Sequence, residues 1–275
     1  MPELPEVETV RRDLAASVAG ARVTSVAVTG LRSTRRHPSG EAFAAALTGR
    51  ALAGFGRWGK YLVIDLDPGP SRLVVHLRMS GQLILAPSPS VPLVKHSHVV
   101  MSFEDGRQLR FVDPRTFGEL FVTGPDLPEL AGMGIDALDP ALTASALAGL
   151  LARRRSRLKP LLLDQRVIAG IGNIYSDEIL WASRLRWSRP ADSLRPVEVR
   201  RLYDAMTLVL AGAVEARGSS LGDNQYVDLS GQGGTFQARH QVYGRLGQPC
   251  ARCGGAIERA VVAQRSHFWC RRCQR

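Results

Sequence analysis

All four cysteines fall in the last 26 residues, as Cys250-x2-Cys253 and Cys270-x2-Cys273 with 16 residues between the pairs. Each Cys-x2-Cys turn aims two sulfurs at one point, and four thiolates close a tetrahedron around one Zn2+. Two disulfides are the rival pairing, which a cytosolic setting disfavours. A closed four-thiolate site has no open coordination position, so the zinc expected here is structural and not catalytic. The same stretch carries Arg252, Arg259, Arg265, Arg271, Arg272 and Arg275 against one acid, Glu258. A small metal-stapled hairpin of that charge reads as a nucleic-acid reader; the alternative is a protein-binding ribbon with an ordinary basic surface.

A chain of 275 residues carries about two domains. No apolar run approaches the roughly 20 residues that span a bilayer. The first residues include Glu3, Glu6 and Glu8 and lack the apolar stretch of a signal peptide, so a cytoplasmic, nucleoid-associated protein is expected. The formal charge is +11 and the pI about 10.3, a field that attracts polyanions without naming one. Lysine occurs only at Lys60, Lys95 and Lys159; arginine supplies the rest, as a GC-rich genome would dictate.

Leu4, Val7, Val10 and Leu14 recur at helical spacing, with Pro5 in the first turn and acids at the positive end of the dipole. Strand-like runs follow at Arg22–Val28, Ala51–Phe55, Tyr61–Leu66, Arg72–Leu77, His98–Phe103, Gln108–Val112 and Glu119–Val122, interrupted by a helix at Glu41–Leu47. Helical patterns then occupy Ala141–Arg153, Arg157–Asp164, Ile174–Ala182 and Pro196–Arg217. The expected fold is α+β and multidomain: a β-sandwich domain flanked by helices (1–125), a linker (126–140), a helical domain (141–234) and the cysteine module (235–275).

Two segments suggest chemistry. In Asp164-Gln-Arg-Val-Ile-Ala-Gly-Ile-Gly-Asn-Ile-Tyr, Gly170 and Gly172 permit tight turns and Asn173 sits where a helix N-cap is expected. Such a helix start is a ready anion site, and Arg153, Arg154, Arg155, Arg157 and Lys159 lie just upstream. A capped helix pair with a solvated basic face is the bland alternative. At the other end, a small residue after the initiator methionine permits its removal, leaving Pro2 with a free secondary amine. An α-amino group titrates near pH ~8, so part of it is neutral and nucleophilic at physiological pH. A neighbouring carboxylate can act as acid or base. An ordinary helix start explains the same residues.

The stretch MPELPEVETVRR, Gly59-Lys60-Tyr61, HLRMSG (76–81), DPRTFG (113–118), LLLDQRVIAGIGNIYSDEILW (161–181), the segment Gly234–Cys253 and the cysteine module together resemble bacterial formamidopyrimidine-DNA glycosylase, nearly end to end and in the same order. The start PELPEVE looks like that family, whereas its pyrimidine-repair sister, endonuclease VIII, typically begins PEGPE. The resemblance implies a β-sandwich, a helix–two-turns–helix domain and a zinc finger, with damaged duplex DNA in the cleft between the halves. It implies a monomer with no nucleotide cofactor. It implies that Pro2 attacks C1′ of the damaged nucleotide, that Glu3 protonates the opening sugar or departing base, and that Glu6 orients the N-terminal region. Lys60, Asn173 and Arg265 would hold phosphates, with His76 a further backbone contact and Lys159 also counted on the DNA side. Met79, Arg115 and Phe117 would fill the gap left by the flipped base. The loop around Ser219, Ser220 and Tyr226 would cap that base.

The chemistry fits these residue types. A stacked base must be extruded before it can be reached, and wedge side chains offset that cost. Attack by a secondary amine gives an iminium, an electron sink that acidifies C2′–H and drives β- and then δ-elimination. Two departures stand out: Arg78 replaces the Gly common in HLGMSG, and the 218–226 loop runs a residue or two longer than expected. The rival functions are the same chemistry on oxidised pyrimidines and a zinc-finger DNA-binding protein without catalysis.

Overall fold

The computed structural model describes residues 2–222 and 226–275. They form two compact units, the chain up to Ala131 with Ala216–Thr235, and Gly132–Glu215 with Phe236–Arg275. No helix among the described residues is long and apolar enough to cross a membrane.

The first unit opens with α1 (Leu4–Val18), which buries Val7, Val10, Leu14 and Val18 along one face. Pro5 costs nothing there, because first-turn amides have no intrahelical acceptor. Next come β1 (Val23–Val28) and α2 (Gly40–Leu47), whose start is fixed by Ser39 accepting from the Ala42 amide at 3.1 Å. Strands β2 (Ala51–Trp58), β3 (Tyr61–Asp67), β4 (Arg72–His76), β5 (Gln82–Ala86), β6 (Ser97–Phe103), β7 (Gln108–Val112) and β8 (Glu119–Thr123) complete the series. They pair antiparallel as two four-stranded sheets, ordered β1-β6-β7-β5 and β2-β3-β4-β8. Leu62, Ile64, Leu73 and Val75 of one sheet share a core with Leu83, Val99, Met101 and Phe111 of the other and with α1. Each such side chain contributes about 1.5–3 kcal/mol when fully buried. This is the sandwich that the alternation predicts. The sequence pattern does not reveal β5, because QLILA is five residues long and nearly all apolar, too short to show a period.

Sequence patterning carries the helical domain through residue 234. The helix that begins at Pro196 ends at Glu215, where Arg217 and Gly218 take φ of 59° and 81° and turn the chain away. The segment after it bonds to the first unit instead. The Leu85 amide donates to the Leu229 carbonyl at 2.9 Å, and Arg217 reaches Asp13 at 2.5 Å and Asp228 at 2.7 Å.

In the second unit, β9 (Ile135–Asp136) pairs in parallel with β10 (Ile168–Ala169). Around them lie α3 (Ala144–Ala152), α4 (Leu158–Leu163), α5 (Asn173–Ala182) and α6 (Pro196–Glu215). Helix α3 starts later than its apolar pattern suggests because Thr143 takes the cap and accepts from the Ala146 amide at 3.1 Å. Leu151, Leu162, Tyr175, Ile179, Leu202 and Met206 are buried at the centre. The closing ribbon pairs β11 (Ile257–Val262) with β12 (Arg265–Cys270) across a two-residue turn, Ala263 and Gln264 at φ 48° and 60°.

Candidate functional site

In the first unit, Pro2 and Glu3 lie buried ahead of α1. Glu6 holds them. Its Oε2 accepts from the Glu3 amide at 2.8 Å, and its Oε1 accepts from the Ser219 amide at 2.7 Å. One carboxylate therefore ties the N-terminal residues to the start of the 218–234 segment. Gly218 is required for this approach: a Cβ there would lie 2.6 Å from Glu6 Oε1. Ser219 bridges to Thr235, Ser220 Oγ donates to the Tyr226 carbonyl at 2.8 Å, and Tyr226 donates its hydroxyl to the Arg217 carbonyl at 3.0 Å. Burial, and then the charge of Glu6, push the Tyr226 phenol upward, so it stays a donor. These three residues tie the two ends of the segment together; residues 223–225, part of the expected capping loop, lie outside the described residues.

Lys60 occupies the second position of the two-residue turn between β2 and β3, after Gly59 at φ 59°, the conformation a tight hairpin asks of glycine. Arg57 beside it donates to Glu8 at 3.1 Å and to the Gly59 carbonyl at 2.9 Å. Burial alone would raise the Glu8 carboxyl, but Arg11, Arg12 and Arg57 hold it down at about 2. His76 is almost fully buried, and that burial with the nearby Arg78 and Lys60 charges lowers it to about 3. Its Nδ1 accepts from the Arg78 amide at 2.9 Å, so the neutral ring carries its proton on Nε2. His76 therefore carries one neutral N–H and no charge.

Phe117 stands 39% exposed on the loop before β8, with the Arg115 guanidinium 5.0 Å from its ring centre. A fully buried carboxylate, Asp113, shapes this loop. Its Oδ2 accepts from the Gly118 amide at 2.7 Å; its Oδ1 accepts from the Arg115 amide at 3.2 Å and from Ser80 Oγ at 2.5 Å. Ser80 follows Met79 directly, so Asp113 draws the Met79 turn and the Arg115–Phe117 loop together. Arg78 sits at φ 53°, which explains why glycine suits the position elsewhere. Its side chain is 42% exposed and ends on a carboxylate. It pairs with buried Glu119 at 3.0 Å, beside Arg35 at 2.9 Å and Arg36 at 3.1 Å.

In the second unit two expectations change. Asn173 is the first residue of α5 and not its N-cap, which is Gly172. Its amide Nδ2 donates to the Ser266 carbonyl at 2.9 Å and so fastens the helix start to the ribbon, next to exposed Arg265. Lys159 cannot be a DNA contact: it has no exposed surface, and its ammonium pairs with Asp177 inside the fold. The apolar pattern of α4 turns that position inward, and the ammonium is retained because a carboxylate meets it. Asp177 also accepts from His267 Nδ1 at 2.6 Å and from the Phe268 amide at 2.8 Å. Its neighbour Glu178 accepts from the amides of Gln241, Val242 and Tyr243 at 2.8–3.0 Å, while burial raises its carboxyl. Asp113, Asp177 and Glu178 lie within the motifs quoted above and Glu119 just after one, yet no motif reveals their roles; two adjacent acids within the apolar helix NIYSDEILW are themselves a signal.

The four cysteine sulfurs lie within 4.8 Å of one another. Cys250 and Cys273 are 3.9 Å apart and Cys253 and Cys270 3.5 Å, far beyond a disulfide and close to the roughly 3.8 Å edge of a tetrahedron with ~2.3 Å metal–sulfur bonds. Burial would raise the Cys250 thiol, but the Trp181 indole N–H at 3.3 Å helps bring it down to about 6, favouring the metal-binding thiolate. These residues form a metal site.

The formamidopyrimidine-DNA glycosylase N-terminal domain matches residues 1–120, the formamidopyrimidine-DNA glycosylase H2TH domain residues 133–225, and a zinc finger found in FPG and IleRS residues 247–275. The formamidopyrimidine-DNA glycosylase of Salinispora arenicola is 46% identical over 279 residues, covering 100% of this chain and 96% of the relative. MutM (Fpg) from Thermus thermophilus superposes with a TM-score of 0.87 at 42% identity, covering 99% of this chain and 98% of the other. Lactococcus lactis Fpg in complex with abasic-site DNA gives 0.91 at 34% identity, covering 99% of each.

Proposed function

The chain belongs to the formamidopyrimidine-DNA glycosylase family and is a base-excision repair enzyme for oxidised purines with glycosylase and AP-lyase activity; we propose that the amine of Pro2 performs both steps. The observation that supports this reading is the clamp of Glu6 on the Glu3 and Ser219 amides, which holds the residue that follows Pro2 in the chain. Once Met1 is removed, the Pro2 nitrogen forms a bond to C1′ as the glycosidic C–N bond breaks. The nitrogen gives up its own proton, and Glu3 supplies a proton to the leaving base or to O4′ as the C1′–O4′ bond breaks, so the opened sugar is left with a C1′=N+ bond. The resulting iminium draws electrons from C2′ as that carbon loses a proton, and the 3′-phosphate departs; a second elimination releases the 5′-phosphate.

Lys60, Asn173 and Arg265 would hold phosphates flanking the lesion, with His76 adding a neutral donor. Met79, Arg115 and Phe117 would fill the vacated stack, with Arg115 addressing the opposite cytosine, and the Ser219–Tyr226 loop would close on the flipped base. The substrate is damaged double-stranded DNA and the protein acts as a monomer, in the cytoplasm at the nucleoid. Lactococcus lactis Fpg has been crystallised with Fapy-dG DNA as a mutant and with oxidised-pyrimidine DNA as the wild type, so lesion class needs a direct test. Excision of 8-oxoguanine opposite cytosine should exceed that of thymine glycol under single-turnover conditions; the reverse ranking would favour the pyrimidine reading.

Asp113 would serve the wedge by position alone. Asp113→Ala removes the acceptor of two amides and a hydroxyl, each a loss of about 1–3 kcal/mol. It should slow 8-oxoguanine excision about tenfold but nick a preformed abasic site with a smaller loss, because a missing base costs less to extrude. Equal losses on both substrates would mean general damage to the fold.

Zn2+ is the ion that fits the four-sulfur geometry, held by Cys250, Cys253, Cys270 and Cys273. Bound there, it stabilises the ribbon that presents Arg265 and does no chemistry on the substrate. Cys270→Ser should therefore lose the metal and DNA binding together, read by metal analysis and by band shift; tight DNA binding by the metal-free protein would refute this.

A further inference from the structure

The arginines of the closing module divide between the two ends of the ribbon. Arg265 stands at the turn, near Asn173. Arg252, Arg272 and Arg275 lie at the cysteine end, where they join Arg184, Arg195 and Arg201 around a cavity of about 550 Å3. Among the described residues one acidic side chain lines this cavity: Glu198, which is occupied by Arg189 at 2.6 Å and Arg195 at 3.2 Å; with the α-carboxylate at Arg275 that makes two anions against six guanidinium groups. Metal-bound thiolates would return part of the missing negative charge but leave an excess of cations.

Two of the guanidinium groups are fixed in place. Arg252 donates to the Trp181 carbonyl at 3.0 Å with its guanidinium 4.0 Å from the Trp181 ring centre, and Arg201 donates to the Ser183 carbonyl. Both use the C-terminal end of α5, whose dipole favours cations. The side chains of Arg184, Arg272 and Arg275 have no acceptor among the described residues. Arginine stays charged at any physiological pH, so a concave surface of six guanidinium groups repels itself unless an anion enters. The cavity is separate from the phosphate contacts proposed above. Asn173 begins α5 and Arg184 follows its end, and ten helical residues span about 15 Å.

We propose that this cavity binds a small anion of two or more linked phosphoryl groups. Its volume suits a small molecule and not a duplex. Guanidinium forks match phosphoryl oxygens. Apart from the two cysteines every lining residue is charged, so an acidic peptide would find no apolar anchor. The nearby indole faces are covered, Trp181 by Arg252 and Trp269 by Arg186, so a nucleobase finds no stacking platform and recognition stops at the phosphates.

The test is calorimetric titration of the metal-loaded full chain with tripolyphosphate at about 0.15 M salt, which screens diffuse attraction. Wild type should bind one equivalent at micromolar affinity, with nucleoside triphosphates bound equally well whatever their base. Arg184→Gln with Arg272→Gln breaks no internal hydrogen bond and should weaken tripolyphosphate at least tenfold while changing affinity for abasic-site duplex less than twofold. Arg195→Gln, at a side chain 74% exposed, is the second variant should the first fold poorly, with a severalfold weakening expected. The proposal fails if tripolyphosphate binds only at millimolar concentration, if the variants bind it as tightly as wild type, or if hexaglutamate binds equally well. It also fails if duplex affinity falls in parallel, which would make the cavity part of the DNA track. None of these outcomes bears on the role of Pro2.

Discussion

Pro2→Gly is expected to abolish borohydride trapping on 8-oxoguanine DNA at the wild-type rate, with loss of at least about 100-fold, the scale of a misplaced reacting group. Borohydride reduces only an iminium, so the trapped species reports the covalent step itself. Glycine keeps an N-terminal amine of similar basicity, so the variant isolates two properties of proline. The first is the ring, which stops rotation about N–Cα and so limits the directions the nitrogen lone pair can take from the segment that Glu6 clamps. The second is the secondary amine. Its adduct with C1′ carries a positive charge that no deprotonation of nitrogen can remove, whereas a primary amine gives an imine that must first be protonated to act as an electron sink. Glu3→Gln separates the proton donor from the nucleophile: it should slow base removal by about 10²–10⁴-fold. Trapping on a preformed abasic site, where no base must leave, should suffer less. Equal trapping by wild type and Pro2→Gly would remove Pro2 from the mechanism, as would full activity in protein that retains Met1.

What the sequence reveals most directly is what has a period or a spacing. The cysteine pairs announce a metal site before any fold is known, and the sulfurs converge as the spacing demands. The strands that alternate and the helices that repeat apolar residues every three to four positions are found within a few residues of their expected ends. Residues whose role depends on a distant partner are hidden. Lys159 looks like one more cation in the run that begins at Arg153, and only the packing of α4 against α5 shows it buried on Asp177. Asp113 belongs to a recognisable motif, yet its work depends on Ser80, 33 residues away. Arg78 looks like an intrusion into a glycine-bearing motif until Glu119, 41 residues on, is seen to receive it. The 216–235 segment follows the last long helix in sequence but belongs to the first unit, because Glu6 and Asp13 reach it there. Its tie to the N-terminal residues is a long-range contact that no local pattern encodes.

Asp177→Ala is expected to be the most damaging single change outside the reacting groups. The carboxylate is fully buried and meets three groups at once: the Lys159 ammonium, His267 Nδ1 and the Phe268 amide. Removing one member of a buried ion pair costs about 3–5 kcal/mol, because the opposite charge stays out of water without its counter-charge. For a unit of this size, that corresponds to a melting temperature lower by roughly 10 °C or more. The consequence reaches function through the ribbon: His267 and Phe268 lie in β12, three and two residues before Cys270 and just after Arg265. Loosening Asp177 therefore frees the strand that carries both a metal ligand and a proposed phosphate contact. Thermal melting and duplex affinity should fall together in the metal-loaded protein. Lys159→Met combined with Asp177→Leu removes both charges and should recover part of the lost stability, since apolar replacement of a whole buried pair is often neutral. Duplex affinity should recover less, because leucine cannot accept from His267 or Phe268. A single variant that melts with wild type, or a double variant that restores DNA binding in full, would show that the ion pair does not position the ribbon.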